Sequence, residues 1–182
     1  MRIIAGTLRG RKIKAPDWDG LRPTSDRLRE TLFNILAPWI EGARVLDGYA
    51  GTGAVGIEAL SRGASHVTFI EEDRRASALI ETNLQALGVK DRYAIIRAGF
   101  AGAARHLSER FQVIFLDPPY GAVELDEAVA AAAPLVSDDT VLIVEHATRD
   151  AAPDSMSLIK TRELKQGDSA LAFYKSSRPH EQ

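Results

Sequence analysis

The 182-residue chain contains no cysteine. That removes disulfides, thiolate metal sites and cysteine-held iron–sulfur clusters. It also removes the thiolate nucleophile that methylation at pyrimidine C5 requires. Long apolar runs are missing too: none approaches the roughly 20 residues that cross a bilayer, so no membrane partner is expected. Met1-Arg-Ile-Ile-Ala-Gly6 lacks the tripartite build of a secretory signal, and a cytoplasmic location fits. The histidines (His66, His106, His146, His180) are scattered, without H-E-x-x-H spacing, and there is no G-x-S-x-G elbow or G-K-[ST] loop. His146 follows a strand end and could touch a site there, but a surface or packing role accounts for it better.

What is present has an ordinary balance, 45% apolar and 26% charged, enough for one domain with a proper core. The net charge of −2 is unevenly spread. Residues 1–36 hold eight Lys/Arg against four acids, and the remainder fifteen against twenty-one. Residues 1–14 alone hold five basic groups and no acid. A basic arm on an acidic body suits nucleic acid, and a merely solvated face is the equal alternative.

Arg2-Ile-Ile-Ala and Arg11-Lys-Ile-Lys-Ala flank Gly6-Thr-Leu-Arg-Gly10 and predict a small hairpin, followed by a loop over 15–24. Leu28, Leu32, Ile35 and Leu36 share one helical face from about Ser25 to Leu36, capped by Thr24 or Ser25 and ended before Pro38. Strands are expected at 44–47, 66–70, 93–96, 111–116 and 140–145, alternating with helices at 53–62, 74–87, 101–109 and 125–133. This alternation implies an α/β fold, a mostly parallel sheet with helices on both faces. Residues 157–165 and 170–174 read as an antiparallel edge. The expected division is a basic hairpin and loop over 1–24 for nucleic-acid contact, the α/β domain over 25–175, and a flexible tail over 176–182.

Two motifs close strands of that sheet. Asp47-Gly-Tyr-Ala-Gly-Thr-Gly53 opens a helix, with Gly51, Gly53 and Gly56 spaced as G-x-G-x-x-G. Such glycines let the backbone approach a ligand at the strand ends where parallel sheets bind them. A dinucleotide-binding dehydrogenase could carry the same spacing. Asp47 tilts the reading, because a carboxylate four residues before Gly51 can accept from the ammonium of a methionine moiety. Glu71, eighteen residues past Gly53, can hold both hydroxyls of a ribose; Asp73 is the fallback, and a helix-dipole role is the bland alternative. Tyr49 and Thr52 complete the turn. The third strand ends in Arg97-Ala-Gly-Phe100 with no acid or amide for an adenine amino group, so the Gly99 backbone and the Phe100 ring are the expected contacts.

The second motif is Asp117-Pro-Pro-Tyr120. An exocyclic amine on a base is a poor nucleophile because its lone pair is delocalised into the ring. Asp117 and the Pro118 carbonyl can accept from its two N–H groups and favour attack. The prolines fix the turn and Tyr120 stacks on the base. Alignment is worth about 7–11 kcal/mol at best. No metal is needed, and the sequence leaves open whether Asp117 also takes the proton. Alone, the tetrapeptide could be a mere turn. Lying 70 residues after Asp47 on the same sheet edge, it reads better as part of an amino-directed methyltransferase.

The chain also resembles a known family, the RsmD-type bacterial 16S rRNA (guanine(966)-N(2))-methyltransferases. The residues that carry this are Arg2-Ile-Ile-Ala-Gly6, Gly10-Arg-Lys12, Arg22-Pro-Thr24, Asp26-Arg27, Arg29-Glu30, Leu32-Phe-Asn34, Val45-Leu-Asp47, Ala50-Gly-Thr-Gly53, Glu58-Ala-Leu-Ser-Arg-Gly-Ala64 and Asp117-Pro-Pro-Tyr120. The N-terminal signature and the Arg-Pro-Thr block are the specific parts. The resemblance implies a class I S-adenosylmethionine-dependent (Rossmann-like) sheet, mostly parallel with an antiparallel C-terminal strand, plus an N-terminal β-hairpin. It implies S-adenosyl-L-methionine as donor and N2 of a guanine in 16S rRNA as acceptor, within an assembled or assembling 30S subunit. By it Asp47, Gly51, Gly53 and Glu71 bind cofactor, and Asp117, Pro118 and Tyr120 hold the base. Arg22 and Thr24 lie beside the pocket, and Arg9, Arg11 and Lys12 meet RNA phosphates. Gly48-Tyr49 departs from the commoner Leu-Phe, and Gln166-Gly167 from Tyr-Gly. A monomer is expected. The alternatives are an amino methyltransferase on adenine N6 or a protein amide, and a non-catalytic RNA-binding assembly factor that keeps the fold.

Overall fold

Apolar runs buried on both faces form the centre of a seven-stranded sheet. The computed structural model, which describes residues 1–178, orders it β3-β2-β1-β4-β5-β7-β6. The strands are β1 (Arg44–Asp47), β2 (His66–Ile70), β3 (Tyr93–Ile96), β4 (Val113–Leu116), β5 (Val141–Ala147), β6 (Leu158–Gln166) and β7 (Ser169–Ser176). The first five run parallel, and β7 joins β5 and β6 antiparallel. Alternation along each strand splits the core in two. Val113 and Phe115 pack with α1 (Asp26–Ile40), α2 (Ala54–Ser61) and α3 (Arg74–Ala86). Ile114 and Leu116 pack with α4 (Phe100–Ala104) and α5 (Ala122–Ala132). Strand order reverses between β1 and β4, so their carboxyl ends, Asp47 and Leu116, flank the crevice where such sheets take ligands.

The N-terminal hairpin does not form as a pair of strands. Residues 1–13 double back through one isolated antiparallel bridge, Arg2 to Lys12. Ile3 and Ile13 N–H donate to the Arg11 and Met1 carbonyls at 2.9 Å, and Gly10 N–H to the Ile3 carbonyl at 2.8 Å, but the pairing extends no further because α2 takes the backbone groups that follow. Glu58 accepts from the Ile4 and Ala5 N–H groups at 2.9 and 3.0 Å, and the Ser61 carbonyl accepts from Thr7 N–H at 2.8 Å. Gly6, at φ 85°, lies so close to Ser61 that a Cβ would overlap its carbonyl. Ile3 and Ile13 then sink into the core.

Three other expectations change. Helix α1 starts at its Ser25 cap, which accepts from Leu28 N–H at 3.2 Å, but continues past Pro38 to buried Ile40. Helix α4 ends at Ala104, well short of residue 109, because Ser108, Glu109 and Arg110 give it no apolar face. Ser176, expected to start the tail, ends β7, and Ser177 N–H donates to the Ser157 carbonyl at 3.0 Å. Residues 179–182 of the expected tail, with His180, lie outside the described residues.

Candidate active site

A cavity of about 600 Å³ opens at the crevice between β1 and β4. Its floor is the turn after β1. Gly51 and Gly53 adopt positive φ, and Gly53 serves as the N-cap of α2. Asp47 is buried beneath the turn, where its Oδ2 accepts from Gly56 N–H at 3.0 Å. Burial pushes its carboxyl up to about 7, against that hydrogen bond, and the charge of Glu71 adds to the rise. A buried, reluctantly ionised carboxylate at a cavity wall is well suited to a cationic ligand group.

Glu71 lines the same cavity and ties the turn together. Its Oε2 accepts from Gly51 N–H and its Oε1 from Asp73 N–H, both at 2.8 Å. Each carboxylate oxygen keeps a further lone pair. Asp73, the fallback for that place, instead caps α3 through the Arg75 and Ala76 N–H groups. Thr52 is buried, and its hydroxyl accepts from Ala54 N–H. Gly48 explains its departure from the commoner leucine: a Cβ there would overlap Leu116 and crowd Phe100, so the Phe100 ring occupies that space. Tyr49 stacks at a tilt on Phe100, centroids 5.2 Å apart, and burial with nearby Glu127 and Glu72 pushes its hydroxyl up to about 12. The Glu72 carboxylate reaches within 3.3 Å of where a Cβ on Gly99 would lie, at the end where the sequence showed no adenine-contacting acid.

On the other side of the crevice, Asp117, Pro118 and Tyr120 border the cavity. Tyr120 is half exposed, with the Arg149 guanidinium 5.8 Å above its ring. Burial holds the Asp117 carboxyl well above the usual range; Glu145 and Asp47 raise it further, and Arg22 opposes them. The loop before α1 forms the remaining wall. Arg22 and Thr24 border the cavity, Leu21 packs near Gly51, and Arg75 lies 5.0 Å above the Trp18 ring. Thr24 Oγ1 donates to Glu145 Oε2 at 3.2 Å.

The structure therefore gathers Asp47, Tyr49, Gly51, Thr52, Glu71, Gly99, Phe100, Asp117, Pro118, Tyr120, Arg22 and Thr24 around one space, with Gly53 closing the turn. It leaves Arg9, Arg11 and Lys12 off the cavity. Arg9 and Lys12 are exposed on the N-terminal segment, whereas Arg11 donates to the Ala86 and Leu87 carbonyls at 2.8 and 3.4 Å, at the end of α3. Sequence reasoning missed Glu145, although its place at the end of a strand beside Asp117's strand was a usable signal. His146 is buried away from the cavity, its Nδ1 2.9 Å from the Ala147 carbonyl and its Nε2 3.9 Å from Glu163.

No helix among the described residues is long and apolar enough to cross a membrane. Residues 1–175 match the family model described as Conserved hypothetical protein 95. The chain is 40% identical over 158 residues to Ribosomal RNA small subunit methyltransferase D of Escherichia coli K12, covering 84% of this chain and 78% of that one. It is 42% identical over 133 residues to the protein of the same name in Haemophilus influenzae, covering 71% and 69%. A solved Escherichia coli structure described as "Putative methyltransferase yhhF" superposes with a TM-score of 0.84 at 36% identity, covering 97% of each chain. The parallel core, the antiparallel C-terminal strands and these similarities agree: the chain belongs to the Conserved hypothetical protein 95 family, alongside the ribosomal RNA small subunit methyltransferase D proteins.

Proposed function

We propose that the protein transfers a methyl group from S-adenosyl-L-methionine to N2 of a guanine in 16S rRNA. One observation carries the reading: Asp117-Pro-Pro-Tyr120 and the Asp47–Gly53 turn face each other across one cavity at the switch point of the sheet. The cofactor fits the residues present. Asp47 suits the methionine ammonium, Glu71 the ribose hydroxyls, and Tyr49, Gly99 and Phe100 the adenine end. When bound it supplies an electrophilic sulfonium methyl, which the amine nitrogen takes with its lone pair while the sulfur keeps the electrons of the broken bond.

The chain's own groups do the rest. Asp117 and the Pro118 carbonyl accept from the two N–H groups of the base and hold its nitrogen toward the cavity. Tyr120, half exposed at the mouth, offers a face on which a flipped base can stack, at an unstacking cost of about a few kcal/mol. Arg22 and Thr24 border the same entrance, and Arg9 and Lys12 face the phosphates of the rRNA. The acceptor is presented by a structured partner, the assembled or assembling small subunit, met by a monomer in the cytoplasm.

The test is transfer from labelled S-adenosyl-L-methionine to small ribosomal subunits that lack native modifications, with nucleoside analysis of the product. N2-methylguanosine at a single site is expected. Label on a different base would keep the reaction class and discard the target, and no transfer despite tight cofactor binding would discard the reaction.

A further inference from the structure

Glu145 is a buried carboxylate, 7% exposed, at the edge of this site. A purely structural role explains little of it. If Thr24 needed only an acceptor, a glutamine would serve without the cost of desolvating a charge. Its position is more informative. The β4–β5 register sets Leu116 opposite Val144, so the next step sets Asp117 beside Glu145, with both side chains on one face of the sheet. The groups facing the pair come from three directions: Asp47 from β1, Arg22 and Thr24 from the loop before α1, and Ser169 from β7. His146, the next residue along β5, turns instead to Glu163. Two carboxylates therefore stand side by side in a desolvated pocket, with Arg22 as the opposing cation.

We propose that Glu145 is a positioning residue for the transfer reaction, sharing negative charge with Asp117 under Arg22 and so governing how firmly Asp117 holds a proton. This rests on the methyltransferase reading above. An amine that gains a methyl must shed one N–H proton. A solvated aspartate is too weak a base to take it readily. Beside Glu145 the Asp117 carboxylate takes it more easily, because protonation relieves the repulsion between two adjacent charges. Burial raises the proton affinity of both carboxylates in the same direction. Arg22 limits the effect, so that the pair still carries charge when a base arrives.

The test compares Glu145→Gln, which keeps size and an acceptor for Thr24, with Glu145→Asp, which keeps the charge. Two readouts are needed: kcat against pH for transfer to unmodified small subunits, and titration of the Asp117 carboxyl carbon resonance in labelled protein without RNA. In Glu145→Gln the acid limb of kcat is expected to move down by about one pH unit. KM for the subunits should hold, and the resonance should titrate at correspondingly lower pH. Glu145→Asp should stay close to the wild type in both. An unmoved limb and resonance in Glu145→Gln, with an active wild type, would overturn the proposal. So would a Glu145→Asp enzyme that shifts as Glu145→Gln does, since shape rather than charge would then be responsible. A wild type inactive on subunits, with the resonance still moving in Glu145→Gln, would support the carboxylate coupling and overturn the methyltransferase reading instead.

Discussion

At the carboxyl ends of β1, β4 and β5, Asp47, Asp117 and Glu145 crowd together with Arg22 as their counter-charge, and burial opposes the ionisation of each. Under the N-terminal segment the arrangement is reversed. Glu58, wholly buried, accepts from Ile4, Ala5 and Arg62, and lies 3.7 Å from Arg29 Nε. Arg29, equally buried, donates to the Arg2 carbonyl and to Asp26. Like charges facing each other raise the energy of the resting pocket and make its carboxylates responsive to a ligand's charge. Opposite charges side by side, with Glu58 accepting from the segment's own backbone, hold that segment in place. Both regions are charged and buried, yet one is arranged for reactivity and the other for attachment.

The sharpest test of this contrast pairs Asp117→Ala with Glu58→Ala. Asp117→Ala is expected to lower methyl transfer by about 10²–10³-fold or more, with cofactor binding and thermal midpoint unchanged or improved. Glu58→Ala removes the one buried carboxylate beside Arg29, leaving it only the exposed Asp26, and is expected to cost about 3–5 kcal/mol of stability in denaturant titration. Should Asp117→Ala unfold while Glu58→Ala stays stable, the two regions have been assigned the wrong way round.

Asp47→Asn isolates the pocket's tension. The wild-type carboxyl is raised from 3.8 to about 7 in the folded state. Its contribution to stability is thus complete below 3.8 and is lost as pH rises through 7, about 4 kcal/mol at most. Urea titrations from pH 4 to 8 should show the wild type losing stability relative to Asp47→Asn, which lacks the group. Over the same range, cofactor affinity should rise toward pH 8 in the wild type and stay weak and flat in the variant. Parallel stability curves for the two proteins would remove the buried charge from the account.

Smaller effects separate the basic residues of the N-terminal segment. Reversing the charge of Arg9 and Lys12 should weaken RNA binding and reduce the slope of log affinity against log salt by about 1 for each phosphate no longer neutralised. Arg11→Ala should leave that slope nearly unchanged and cost about 0.3–1 kcal/mol of stability, because Arg11 caps the end of α3. Equal slopes for all three changes would mean that Arg11 leaves its helix to meet the RNA.

Much of the architecture was legible in the chain alone. Strands such as His66–Ile70 and Tyr93–Ile96 fall where apolar runs and flanking turns predicted them. Their patterns depend only on a period of two and on nearby glycines, so a local reading suffices. The N-terminal segment misled because its alternation and glycines do suit a hairpin. What kept the pairing to a single bridge was Glu58, 53 residues from Ala5, taking a backbone donor that a longer ladder would have used. Helix α4 misled in the same way at its far end, where propensity without an apolar face gave it nothing to pack against.

The order of elements, the glycine turn and Asp117-Pro-Pro-Tyr120 were determined by the sequence itself, since each rests on neighbours a few residues apart. Tertiary structure decided which charges meet. Thr24 finds Glu145 across 121 residues, Arg11 finds Ala86 across 75, and Glu145 stands beside Asp117 only because β4 and β5 pair in one register. Desolvation is likewise a property of the assembled sheet: the same Asp47 that is an ordinary carboxylate in the unfolded chain becomes a reluctant one beneath the turn it supports. Spacing along a chain sets what a segment can form, and packing across it sets what its charges can do.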